Sequence, residues 1–156
     1  MQSLLTWIET TNVARGVAGS AALTAWLSAV HALGYTVVIG SAIVANLRAL
    51  GALLPRTPIR DVVAPANRAI LVGLTISVVT GALLFSARAV EAGANGTFQL
   101  KMLLLILAAA FQFAVLRAVA ASEQPVARSR IVASGAAGLS LWLGLALAAF
   151  AFILLE

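Results

Sequence analysis

The sequence predicts an all-α integral membrane protein: a four-transmembrane-helix bundle with a short N-terminal interfacial amphipathic helix. Three observations carry this reading. Apolar residues make up 62% of the 156-residue chain and charged residues 10%, against about 45–50% and about 25% in soluble domains. The mean hydropathy is +1.06, and a soluble domain of this size leaves too much surface exposed to hide that much apolar area. The charges gather at the ends of four long runs rich in Ala and Leu. Continuous runs of this kind lack the two-residue alternation of a transmembrane barrel. A soluble enzyme and a disordered chain are both excluded.

Residues 1–15 form the first element. Met1, Leu4, Leu5 and Ile8 recur at helical spacing, with Trp7 beside them and Glu9, Thr10, Thr11 and Asn12 polar. This is the pattern of a helix lying in the interface, with Trp7 as its anchor. Residues 16–156 form the four-helix transmembrane domain, with spans at about 21–47, 69–87, 98–120 and 131–155. Gly16–Leu47 carries no Asp, Glu, Lys or Arg and exceeds the roughly 20 residues a helix needs to cross, so the first span is expected to tilt. Lys101 and Arg117 bracket the third span and are expected to snorkel. Pro55 and Pro58 close the first span, Pro65 stands before the second, Gly93, Asn95 and Gly96 make the turn before the third, and Pro125 precedes the fourth. No basic side chain occurs in the first nine residues, so the first span is expected to serve as an uncleaved insertion signal.

Arg48, Arg56, Arg60, Arg68, Arg117, Arg128 and Arg130 fall in or beside the first and third connections, against Arg15, Arg88 and Lys101 elsewhere. The asymmetry places those connections in the cytoplasm and both termini outside. The net charge of +5 therefore reads as membrane topology and attraction to lipid head groups, with no nucleic-acid partner. Arg48 and Arg68 are expected as lipid or interface anchors, near Asn46 and with Asp61 as a candidate ion-pair partner.

Lipid tails are as apolar as leucine, so helices in a bilayer associate through close packing at small residues. Ala69, Gly73, Ser77 and Gly81 make such a row in the second span, and Ala136, Ser140, Gly144 and Ala148 in the fourth. Ala110, Ala114 and Ala118 make a shorter one in the third. These rows are expected to hold the bundle together, and equally suit an oligomer or docking face.

His31 is the one histidine and lies inside the first span; cysteine is absent. Thr24, Ser28, His31 and Tyr35 share a helix face, a polar stripe turned from lipid. An intramembrane ionisable residue suggests a metal, haem or quinone contact, or an interhelical hydrogen bond. Haem b or copper at His31 is the cofactor reading, held by this chain alone or shared with a partner chain or a second copy. Gln112 is expected to hydrogen-bond this stripe, and Lys101 to pair with Glu91. No carboxylate lies within a span and no inverted repeat is evident, which argues against a transporter. No serine elbow, phosphate loop or zinc signature occurs.

The segment from His31 to Leu54, with its Asn46–Leu47–Arg48–Ala49–Leu50–Gly51 ending, is followed by Thr80, Gly81, Leu83 and Phe85, and then by Asn95, Phe98, Lys101 and Met102. From Trp26 to Leu116 this resembles a family of uncharacterised four-span bacterial inner-membrane proteins, distantly similar to the copper-resistance D type. The resemblance implies the four-span fold and the bacterial inner membrane. Similar members often carry an Asn and a His late in the third span, where this chain has Phe111 and Leu116; half of a paired-histidine site would then be missing. The expected function is non-enzymatic: an accessory, assembly or stabilising subunit of a larger membrane complex. Its partners would be membrane lipids and other integral subunits, or a second copy of the chain. The rival is a redox or metal-handling protein.

Overall fold

The computed structural model describes residues 2–122 and 126–154. Met1 of the N-terminal stripe, the breaker Pro125 and the final span residue Leu155 lie outside the described residues. The elements are α1 (Gln2–Glu9), α2 (Asn12–Ala18), α3 (Ala21–Leu50), α4 (Ile59–Ala87), α5 (Ala89–Ala94), α6 (Gly96–Phe111), a π-helical turn (Gln112–Leu116), α7 (Arg117–Ala121) and α8 (Arg128–Leu154). Among the described residues four helical units are long and apolar enough to cross a membrane: α3, α4, the continuous unit from α6 through α7, and α8. The chain is an all-α four-span bundle.

Local chemistry sets the helix ends. Ser20 caps α3 by accepting from the Leu23 N–H at 3.3 Å. Gly51 ends α3 in the left-handed region at φ 80°, and the N–H groups of Gly51 and Ala52 return to Arg48 and Leu47 carbonyls, as a glycine-terminated helix requires. The Asn95 side chain caps α6 by accepting from the N–H groups of Thr97 and Phe98 at 2.9 and 3.0 Å.

All four spanning units outrun the spans read from charge, α4 furthest. α3 continues through Arg48, whose Nε donates to the Thr57 carbonyl at 2.7 Å. α4 begins at Ile59, with Pro65 inside it. Charged side chains at a helix end reach water without breaking the helix, so charge marks the membrane boundary rather than the helix boundary. The N-terminal region folds as two short helices. In α1, Leu5 lies against Gly93 of α5, and Glu9 accepts from the Val90 N–H at 2.8 Å. In α2, Ala14 and Val17 are buried, and the helix packs on α4. The predicted interfacial helix is thus docked on the bundle end. Trp7 stays 64% exposed.

α3 is the hub, packed on α4 on one side and α8 on the other; α8 packs on α6, and the π turn and α7 close the ring on α4. Val38, Ala42, Ile70, Ala108, Trp142 and Leu145 form the central core. The α3–α4 crossing is set by Gly34 and Gly73. A Cβ on Gly73 would lie 2.7 Å from the Gly34 carbonyl oxygen, and one on Gly34 would lie 3.0 Å from the Gly73 carbonyl oxygen. Ser77 is buried in the same seam, and Gly81 abuts the His31 ring.

The α8 seam differs from the row of four-residue steps. Ala136 and Ser140 are exposed, Gly144 is half-buried and Ala148 is buried. The buried positions are Ser134, Gly135, Gly138, Trp142, Leu145 and Ala148. A four-residue step overshoots a full helical turn by about 40°, so a strict row of such steps winds off a straight interface, whereas alternating steps of three and four stay on it. On the third span Ala110, Ala114 and Ala118 face outward, while Ala108, Gln112, Leu116 and Ala120 are buried. Those four positions keep four-residue spacing because the π turn widens the helix between them.

Replacing Gly73 with Ala should therefore drive a methyl group into backbone that has no room to move, costing about 1–3 kcal/mol. The same change at Gly40, where a Cβ meets nothing within 4 Å, should leave stability unchanged or raise it. Thermal unfolding of both variants in detergent checks this; equal losses would refute the glycine-limited crossing.

Candidate functional site

Two polar loci lie inside the apolar bundle. The first surrounds His31, half-buried where α3 faces α4. Its Nδ1 lies 2.9 Å from the Ser77 carbonyl oxygen and 3.2 Å from Thr80 Oγ1. A carbonyl only accepts, so Nδ1 carries the proton and donates. The Thr80 hydroxyl donates to the Ile76 carbonyl at 2.7 Å, which leaves its oxygen free to accept. The His31 Nε2 of the neutral ring then keeps its lone pair, the form in which imidazole binds a metal or accepts a hydrogen bond. Ser77 Oγ donates to the His31 carbonyl at 3.3 Å, so the two helices exchange bonds at this level.

The rest of the predicted stripe does not converge on His31. Thr24 Oγ1 donates to the Val17 carbonyl at 2.9 Å, joining α3 to α2. Ser28 is exposed; it sits three residues before His31, which turns it about 60° around the helix. Tyr35 packs against the central core, and its hydroxyl is buried without a hydrogen-bond partner among the described residues. Among the described residues no group of three His, Cys, Asp or Glu side chains could hold a metal. His31 would supply one imidazole ligand to a haem or copper ion.

The second locus joins residues that no local sequence pattern links. Asn46 and Gln112 are fully buried and Asn67 is 6% exposed. Gln112 Oε1 accepts from the Trp142 indole N–H at 3.2 Å and from Asn46 Nδ2 at 3.4 Å. Gln112 Nε2 donates to Asn67 Oδ1 at 2.7 Å. One side chain at the π turn thus ties α3, α4 and α8 to the third span. Asn46 Nδ2 also donates to the Ala42 carbonyl at 2.8 Å. Its Oδ1 has no hydrogen-bond partner among the described residues and occupies the place a Cβ would take on Gly138. Gln112 does not reach the His31 stripe: Asn46, its partner on α3, lies about 22 Å along the helix from His31. Asn46 belongs to the interior rather than to a surface cluster with Arg48 and Arg68. The sequence signal for this locus was the coincidence of amides near the loop-side ends of three spans, with a tryptophan in the fourth.

The outer end holds a third arrangement. Glu91 pairs with Arg88 at 3.0 Å, and this neighbouring guanidinium holds its carboxyl below the usual range. Lys101, expected as the partner of Glu91, instead lies over the rings of Phe98 and Phe152, 4.9 and 4.6 Å from their centroids. Phe98 also stacks on Phe85 at 5.3 Å. The aromatic faces hold the ammonium by cation–π attraction where the bundle meets its cap. Among the described residues Asp61 forms no ion pair with Arg48 or Arg68.

A substitution of Gly138 by Ala should displace Asn46 and break the amide locus, destabilising the protein by about 2 kcal/mol. Combining it with Asn46→Ala should make it cost at least about 1 kcal/mol less than in the native background. Strictly additive losses in a double-mutant cycle would show that the two sites do not interact.

No curated protein and no solved structure gives a match to this chain. A family model, described as a family of unknown function (DUF6644), matches residues 4–152. The match covers every spanning helix and both polar loci, so this four-span chain is a member of the DUF6644 family.

Proposed function

We propose that this chain is a non-catalytic accessory, assembly or stabilising subunit of a larger complex in the bacterial inner membrane, with both termini on the periplasmic side. The observation that supports it is the set of small-residue rows left facing outward. The bundle packs through Ala108, Gln112, Leu116 and Ala120 of the third span and through Gly135, Gly138 and Trp142 of α8. Ala110, Ala114 and Ala118, together with Ala136 and Ser140, remain exposed. In lipid, rows of this kind let a second backbone approach closely. The interior offers fixed amide hydrogen bonds that suit a rigid scaffold.

The second reading is a redox or metal-handling protein, distantly similar to the copper-resistance D type. It is favoured by the Nδ1–H bond to the Ser77 carbonyl, which presents Nε2 as a ligand. A haem b or copper site would need its remaining ligands from a partner or a second copy.

Native mass spectrometry of tagged protein, extracted from its own host's membrane in mild detergent, separates the two. The accessory reading expects co-purifying subunits at fixed stoichiometry, lost on Ala114→Leu and kept on His31→Phe. A lone chain or homo-oligomer carrying the mass of haem or copper, lost on His31→Phe, would establish the second reading instead.

A further inference from the structure

A crevice lies between α4 and the π turn with α7, at the loop-side end of the bundle. It holds about 250 Å³, and Arg60, Arg68 and Arg117 line it together with Asn67, Leu71 and Phe113. The charge is of one sign, since no carboxylate among the described residues lines it. Asp61 follows Arg60 in sequence but lines a different groove with Gly40 and Pro65; one residue along a helix turns the side chain by about 100°. Three arginines lining one cavity give it a positive potential that attracts an anion.

Asn67 adds an oriented neutral donor, and the amide locus fixes which way it points. The Trp142 indole N–H only donates, so the Gln112 carbonyl oxygen must face Trp142. The Gln112 amide N–H group therefore faces Asn67, and Asn67 must present its oxygen there. The Asn67 Nδ2 is turned away from Gln112 and donates to no protein group among the described residues. Asn67 is 6% exposed, and the crevice is the space it borders.

We propose that this crevice binds a phosphate anion, either the phosphodiester of an anionic phospholipid or free phosphate. Arg60, Arg68 and Arg117 supply charge and forked donors, and Asn67 Nδ2 supplies a neutral hydrogen bond. Guanidinium groups match phosphate oxygens in pairs. Arg60 and Arg68 stand about 12 Å apart along α4, which spreads the cationic groups over the depth of a head group. Leu71 and Phe113 form an apolar wall on the side that leads into the membrane-spanning part of the crevice.

The test titrates the purified full chain in detergent with phosphatidylglycerol and with phosphatidylcholine of the same acyl chains, reading adducts by native mass spectrometry. Radiolabelled inorganic phosphate is titrated separately by equilibrium dialysis. Phosphatidylglycerol should bind more tightly than phosphatidylcholine. Affinity should fall about fivefold for each of Arg60→Gln, Arg68→Gln and Arg117→Gln, and about a hundredfold for all three. Arg128→Gln with Arg130→Gln, on the same end but outside the crevice, should bind as the native chain does. Phosphate binding with the same arginine dependence, without a preference for the anionic lipid, would identify free phosphate as the source. Asn67→Asp serves where the triple variant does not fold: it keeps the acceptor for Gln112 but places a negative oxygen in the crevice, and should lose about tenfold or more. The proposal is overturned if both lipids bind alike and phosphate does not bind. It is equally overturned if the Arg128/Arg130 variant loses as much as the triple variant, or if helical Asn67→Asp binds as the native chain does.

Discussion

The close approach of α3 to its two neighbours is the constraint on which the rest of the structure depends. Apolar burial gives no net gain between helices already in lipid, so attraction comes from contact distance and hydrogen bonds. Gly34 against Gly73 sets that distance on one side of α3, and Gly135 with Gly138 sets it on the other. A polar group sits beside each crossing, the first against Gly81 and the second against Gly138. Beside the first, the His31 ring reaches the Ser77 carbonyl. Beside the second, the Asn46 carboxamide fits against Gly138 and reaches Gln112. A methyl group at either crossing would separate the backbones and leave those groups unsatisfied in hydrocarbon.

The amide locus makes the bundle a single unit rather than two helix pairs. Gln112 uses both ends of its side chain, and its partners come from three other helices. Interhelical hydrogen bonds in membranes contribute on average about 0.6 kcal/mol each, so their larger effect is to select one arrangement of the helices. At the opposite end this role passes to aromatic rings. Phe85, Phe98 and Phe152 join α4, α6 and α8 around the Lys101 ammonium, and α1 with α5 covers one side.

The four spans were legible because charge and hydropathy report directly on the bilayer. Helix ends were less so: Arg48, Arg60 and Asp61 are helical residues in water-facing turns, and charge does not distinguish these from loops. The row from Ala69 to Gly81 led to the true α3–α4 contact because it crosses the seam at Gly73 and Ser77. The row from Ala136 to Ala148 did not, because regular four-residue steps wind off a seam whose steps are threes broken by one four. His31 stood out as the one histidine, but nothing in the sequence links it to a main-chain carbonyl on α4. The amide locus required knowing that Asn46, Asn67, Gln112 and Trp142 share a level, which follows from helix lengths and crossing points rather than from local pattern.

The π turn has a consequence for how the chain tolerates insertions and deletions. It is a one-residue phase shift in the third span, placed between the part that faces α8 and the part that faces α4. The turn holds one residue more than a regular α-helix would, so deleting a single residue there would restore a regular α-helix and leave Leu116 and Ala120 on the core face. The same deletion anywhere else in the third span would rotate everything beyond it by about 100° and carry Leu116, Arg117 and Ala120 off their partners. The third span therefore tolerates a change of length at the π turn and at no other level of the bundle.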